Sequence, residues 1–228
     1  MADRFLGRMV VAIDGPAGSG KSSVSREAAR RLGFGILDTG AAYRALTWAA
    51  LRNNVDPEDT AAVSHLLHTF EYRARTDPDD SRVYVGDVDV TDSIRTAEVT
   101  ERIARFSKQP AVREYLNGVL FPALISHDPH PGLTIEGRDI TTVVAPDAPV
   151  RILLTASAEV RAERRAKQLG VAANAVADQI RTRDAKDSAV VDFFTPAPGV
   201  QVVDTSELNF DQAVEAVIAL VREKEKTT

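Results

Sequence analysis

Gly15-Pro16-Ala17-Gly18-Ser19-Gly20-Lys21-Ser22 decides how this chain is read. Its two outer glycines, lysine and serine fill every fixed position of the phosphate-loop pattern G-x-x-x-x-G-K-[ST]. The flanks agree with the pattern. Met9-Val10-Val11-Ala12-Ile13 before it is a short apolar run that reads as a buried strand. After it, Val24, Ala28 and Leu32 recur at helical spacing, and Gly33 follows as a helix stop. Strand, glycine loop and helix in that order aim backbone N–H groups and a helix N-terminus at a polyphosphate. Gly15, Pro16, Ala17, Gly18, Ser19, Gly20, Lys21, Ser22 and Ser23 are therefore the expected donor-nucleotide residues. Lys21 would reach the β and γ phosphates, and the Ser22 hydroxyl would be the metal ligand, holding Mg²⁺.

The bulk composition narrows the classes around that loop. With 228 residues, 44% of them hydrophobic and 27% charged, the chain can bury a core as a single domain with insertions. The net charge of −5 argues against a nucleic-acid partner, because binding a phosphate backbone needs a basic excess. With no cysteine, disulfides, zinc-thiolate sites and cysteine nucleophiles are excluded. Residues 1–8 lack the apolar core of a signal peptide, and no apolar run approaches a membrane span. A cytoplasmic, monomeric protein without membrane attachment is the expectation.

Short apolar runs alternate with helical stretches. Val10–Ile13, Phe34–Leu37, Leu133–Ile135, Val150–Leu154 and Val200–Val203 read as strands, and Lys21–Leu32, Ala42–Arg52, Val112–Ser126, Ala158–Leu169 and Phe210–Arg222 as helices. The alternation predicts an α/β fold, a parallel sheet flanked by helices, with ligands at the carboxyl ends of the strands. One stretch breaks the rhythm. Phe70–Ala74 and Val83–Val85 alternate with period two across the turn sequence Asp77-Pro78-Asp79-Asp80, and Val88 and Val90 extend the pattern. A small antiparallel insertion near 70–90 is predicted there. His65 and His68 are spaced as on one helix face, but without a carboxylate partner they read as part of an ordinary amphipathic helix.

Arg161, Arg164 and Arg165 cluster towards one face of a helix, and the polar stretch Ala172–Asp187 follows. In a phosphoryl-transfer protein such cations can neutralise charge spreading on the moving group. The chain lacks the Asp-x-x-Gly and Asn-Lys-x-Asp patterns of guanine-nucleotide switches and the length of a motor. Asp38-Thr39-Gly40 follows the second strand and leads into a helix carrying Tyr43 and Arg44, where an acceptor phosphate would lie.

Six segments then occur in order: Ile13–Pro16, Leu37–Arg44, Ile94–Thr96, Pro110–Arg113, Glu136–Asp139 and Arg183-Asp184-x-x-Asp187. The series resembles the bacterial cytidylate kinases, from Val10 to about Ile218. That resemblance implies a P-loop kinase core, a monophosphate-binding region with a β insertion, and a helical lid. Its subregions would be 9–38, 39–132, 133–157, 158–187 as lid, and 188–228. It implies ATP as phosphoryl donor, Mg²⁺, and CMP and dCMP as substrates. Lys21, Arg161, Arg164 and Arg165 would be catalytic cations. Thr39, Tyr43, Arg44, Arg113, Arg138, Asp139, Arg183 and Asp187 would bind the acceptor: Arg44 and Arg138 its phosphate, Arg113 and Asp139 its base, Arg183 and Asp187 its sugar. Guanidinium forks suit phosphate, and a carboxylate accepts from the cytosine amine where uracil presents a carbonyl. Asp14, Asp38 and Glu136 stand at strand ends where a carboxylate could order metal-bound water.

The chain departs from the resemblance at Ala104, where a serine is common, at Val190, where an arginine is common, and at Thr141, where a glycine is common. These bear on specificity rather than reaction class. The competing readings are a kinase for UMP, AMP or a non-nucleotide alcohol, and a nucleotide-switched binding module.

Overall fold

The computed structural model describes residues 5, 7–188, 192 and 194–227, apart from the side chains of 168, 169, 173, 174, 183, 186 and 187. The chain divides into two compact units, one of Met1–Ile36 with Pro129–Thr228 and one of Leu37–Asp128.

The first unit is built on β1 (Met9–Asp14), β6 (Gly132–Gly137), β7 (Val150–Thr155) and β8 (Gln201–Asp204). With β2 (Gly35–Asp38) they form a five-stranded parallel sheet in the order β2-β6-β1-β7-β8. β1 is buried from Val10 to Asp14 because both of its faces are covered, which is why it reads as a continuous apolar run rather than an alternation. One layer of the core packs Val24 and Ala28 of α1 (Lys21–Leu32) with Val214, Val217 and Val221 of α9 (Phe210–Glu225) over Val11, Ile13, Ile152 and Leu154. α7 (Ala158–Leu169) and α8 (Ala173–Ser188) pack against each other. Gly132 starts β6 where a Cβ would lie 2.5 Å from the Phe34 ring, so only glycine admits that strand so close to the turn after α1. The β1–β6 register sets Asp14 opposite Gly137. Two loops, the glycine cradle after β1 and the Arg138-Asp139 segment after β6, thus leave the sheet side by side at its carboxyl end.

The second unit carries α2 (Thr39–Arg52), α3 (Thr60–His68), α4 (Ala97–Ser107), α5 (Pro110–Tyr115) and α6 (Phe121–His127). A separate antiparallel sheet runs in the order β3 (Tyr72–Ala74), β4 (Val83–Val85), β5 (Val88–Asp89). Its turn is set by the Asp77 carboxylate, which accepts from Asp79 N at 2.8 Å, and by Arg82, which donates to Asp80 at 2.5 Å. That guanidinium holds the Asp80 carboxyl down at about 2.

Several boundaries differ from the sequence expectations. α2 begins at Thr39 rather than Ala42, because the Asp38 carboxylate accepts from Ala41 N at 3.0 Å and caps the helix there. The single helix expected over Val112–Ser126 is interrupted by a π-helical turn at Leu116–Leu120 between α5 and α6. Pro122 explains the break: it has no N–H to give the carbonyl four residues back. The ladder of the insertion starts at Tyr72, not Phe70, and Val90 lies past its last strand. The polar stretch from Ala172 is helical through Ser188. Among the described residues no helix is long and apolar enough to cross a membrane.

Candidate active site

The glycine cradle bridges β1 and α1 with three backbone solutions that a side chain would spoil. A Cβ at Gly15 would lie 2.1 Å from the Leu154 carbonyl oxygen, and one at Gly18 would lie 2.9 Å from that of Arg161. Gly18 and Gly20 hold φ of 78° and 88°, where L side chains are strained, and Gly20 is the N-cap from which α1 starts. The α1 N-terminus is thus left without a side-chain cap, as an anion site needs. Lys21 follows, its ammonium 3.8 Å from the buried Glu136 carboxylate at the end of β6. Ser22 and Ser23 are exposed on the first turn. Ser19 Oγ in the loop and Arg161 Nε beside it are buried and have no hydrogen-bond partner among the described residues. Buried polar atoms left in that condition are costly unless a ligand completes them.

Three arginines grip the loop by its carbonyls. Arg138 donates to Gly15 O, Arg161 to Ala17 O at 3.0 Å, and Arg164 to Ser19 O at 3.2 Å. Arg161, only 7% exposed, also pairs with the buried Asp184 of α8, whose other carboxylate oxygen accepts from Ala17 N at 3.3 Å. Arg164 is anchored besides by Thr205, donating to its Oγ1 at 2.8 Å and its carbonyl at 2.7 Å. Arg165 is half-buried on the same helix. Asp184, though it lies inside the Arg183-Asp184-x-x-Asp187 segment, and Thr205 were given no role from sequence: each holds an arginine and also touches the loop itself, Asp184 at Ala17 N and Thr205 Oγ1 at Ser19 O, 3.4 Å away.

Asp14 has a different role from the one its strand-end position suggested. Its Oδ1 accepts from Ile140 N at 2.8 Å, and its Oδ2 from Thr141 N at 2.8 Å and Thr141 Oγ1 at 2.6 Å. Burial raises its carboxyl above the usual range, against the pull of those donors. The carboxylate is a tie that holds the turn carrying the buried Asp139 to the strand leading into the cradle. Thr141, one of the departures, supplies two of those three bonds, one of them from its side-chain hydroxyl.

In the second unit Arg44 is half-buried on α2 and donates to Ile94 O at 3.2 Å and Thr100 Oγ1 at 2.9 Å. Tyr43 donates to Asn117 Oδ1 at 3.4 Å and lies 6.2 Å from the Phe121 ring. Thr39 is buried in the first turn of α2, and Arg113 is half-buried on α5. Asp38 caps α2 and stands 4.0 Å from Arg95. Ala104 lies on α4. Arg183 and Asp187 lie on α8, but their side chains, like Val190, are outside the described residues. Among the described residues no group of three His, Cys, Asp or Glu is placed to hold a metal, His65 and His68 included.

The family model described as cytidylate kinase matches residues 11–223. A cytidylate kinase of Mycobacterium avium is 45% identical over 224 residues, covering 95% of this chain and 96% of that one. One of Streptomyces avermitilis is 40% identical over 225 residues, covering 98% and 96%. Among solved structures, TT1252 from Thermus thermophilus aligns over 93% of this chain and 97% of its own with a TM-score of 0.50 and 18% identity, a likeness of fold alone.

Proposed function

The chain belongs to the cytidylate kinase family, and we propose that it transfers the γ-phosphoryl of ATP to CMP or dCMP, giving CDP or dCDP in pyrimidine nucleotide metabolism in the cytoplasm. The observation that carries this reading is the cradle itself: glycines fixed by backbone contacts, an uncapped helix N-terminus and Lys21 at its mouth. Backbone N–H groups of residues 15–23 would hold the donor phosphates, and Lys21 would lie on the β and γ groups. Mg²⁺, held by the Ser22 hydroxyl and the phosphates, would draw charge from the leaving oxygen.

Arg44 and Arg138 would grip the acceptor phosphate with paired donors, and Thr39 and Tyr43 would line that site. Arg113 and Asp139 would read the cytosine edge, Asp139 accepting from the exocyclic amine. Arg183 and Asp187 would hold the sugar hydroxyls. Lys21 and Arg165 would neutralise charge on the moving phosphoryl, and the part of the 158–187 lid between Arg165 and Asp184 would close over the site to exclude water. An acceptor phosphate is already ionised, so no general base is needed. Transfer then rests on positioning and charge neutralisation.

The test is a substrate panel. The purified chain with Mg-ATP is offered CMP, dCMP, UMP, AMP and GMP separately, and ADP release is followed. Turnover with both cytidine nucleotides and little with the rest is expected; equal turnover with UMP would remove Asp139 and Arg113 from base reading.

A further inference from the structure

The arginines on α7 were expected to act on the transferring phosphoryl, yet two of them are committed to the backbone of the cradle. Arg138, Arg161 and Arg164 take the carbonyls of Gly15, Ala17 and Ser19, alternate residues of one loop. No cis peptide bond occurs among the described residues. In a planar trans peptide the C=O of one residue and the N–H of the next point in opposite directions. A carbonyl drawn outward to a guanidinium therefore turns the following N–H the other way. After Gly15 comes Pro16, which has no N–H; after Ala17 and Ser19 come Gly18 and Gly20, which do.

We infer that Arg161 and Arg164 are positioning residues of the donor site: they hold two carbonyl dipoles out of the cradle and so aim the Gly18 and Gly20 N–H groups into it. The inference rests on the reading of this loop as the donor-phosphate site. Without the guanidinium groups, rotation of either peptide would present a carbonyl oxygen to an anion and withdraw a donor from it. Each arginine is itself held from outside the loop. Asp184 fixes Arg161 and closes on the Ala17 N–H, so that one residue is gripped at both its N–H and its C=O. Thr205 fixes Arg164 with its hydroxyl and its carbonyl. The close backbone approach of Gly18 to Arg161 makes α7 the surface against which the loop is moulded. Preorganised backbone donors of this kind lower the cost of binding charge because nothing has to reorient when it arrives.

Asp184 and Thr205 provide the test, since each holds one of the two arginines and also bonds the loop it positions, Asp184 at Ala17 N and Thr205 at Ser19 O. Asp184→Asn and Thr205→Val are compared with the unaltered protein by titration with Mg-ADP and by steady-state kinetics in both substrates. The expectation is about tenfold weaker Mg-ADP binding and an equal rise in KM for ATP, with kcat and KM for CMP within twofold. Arg161→Lys, which keeps a cation able to reach Ala17 O, should recover most of the donor affinity that Arg161→Met loses. A fall in kcat at unchanged donor affinity, or no change in either variant, would overturn the inference. If Asp184→Asn does not fold, Thr205→Val decides. Lys21→Ala keeping full ADP affinity and transfer would instead overturn the donor-site reading beneath it.

Discussion

Thr141→Val removes a single hydroxyl from the tie between Asp14 and the turn after β6, and its effect can be worked out in advance. The hydroxyl donates to Asp14 Oδ2 at 2.6 Å with both residues buried, while Ile140 N and Thr141 N keep their own bonds to the carboxylate. A buried hydrogen bond to a charged group contributes about 1.5–3 kcal/mol. For a chain of this size each kcal/mol corresponds to roughly 2–4 °C, so the melting temperature should fall by about 3–12 °C at pH 7. The pH dependence is the sharper part. The hydroxyl lowers the Asp14 carboxyl, which burial raises above 3.8; removing the hydroxyl raises it further. A carboxyl raised in the folded state costs stability while it is charged, and that cost disappears as pH falls through the folded value towards 3.8. The deficit of Thr141→Val should therefore be larger at pH 7 than near pH 4, shrinking on acidification towards 3.8. Thermal denaturation of both proteins from pH 7 down to pH 4 measures it. A deficit that is absent at pH 7, or that grows on acidification, would refute the assignment of Asp14 as a charged tie.

Three further expectations follow from individual contacts. Gly15→Ala drives a Cβ onto the Leu154 carbonyl, so it should destabilise by about 1–3 kcal/mol or more, whereas Gly118→Ala, with no neighbour within 4 Å among the described residues, should not; parallel melts compare them. Thr100→Val deprives Arg44 of an acceptor at 2.9 Å and should raise KM for CMP about fivefold, an exposed bond worth about 1 kcal/mol, with KM for ATP unchanged. Asp139→Asn should lower the ratio of kcat/KM for CMP over UMP by about tenfold or more, and an unchanged ratio would take Asp139 out of base recognition.

The parts of the fold legible in sequence are those punctuated locally. Lys21–Leu32 was bounded by glycines that the structure finds in left-handed conformation at both ends, Gly20 and Gly33. Ala158–Leu169 likewise ends on Gly170 at positive φ. The buried strands were legible because a parallel sheet covered on both faces demands continuous apolar runs. What escaped was punctuation by a missing donor, as at Pro122, and by a side chain outside the helix it starts, as with Asp38. At the site, Lys21 and the glycines were legible because their roles depend on chain neighbours. The roles of Arg138, Arg161 and Arg164 on the loop carbonyls were not, since those contacts span 123, 144 and 145 positions of sequence. Asp14 shows the same limit: its place at a strand end was evident, but the three donors that occupy it come from 126 and 127 positions away.

The proposed transfer itself can be followed by the label. ATP carrying a radioactive γ-phosphoryl, incubated with the purified chain, Mg²⁺ and CMP, should give labelled CDP in step with ADP, and Lys21→Ala should lose that product by orders of magnitude. ADP accompanied by labelled inorganic phosphate and no labelled CDP would contradict it, because the cradle would then be serving hydrolysis rather than transfer to a nucleotide.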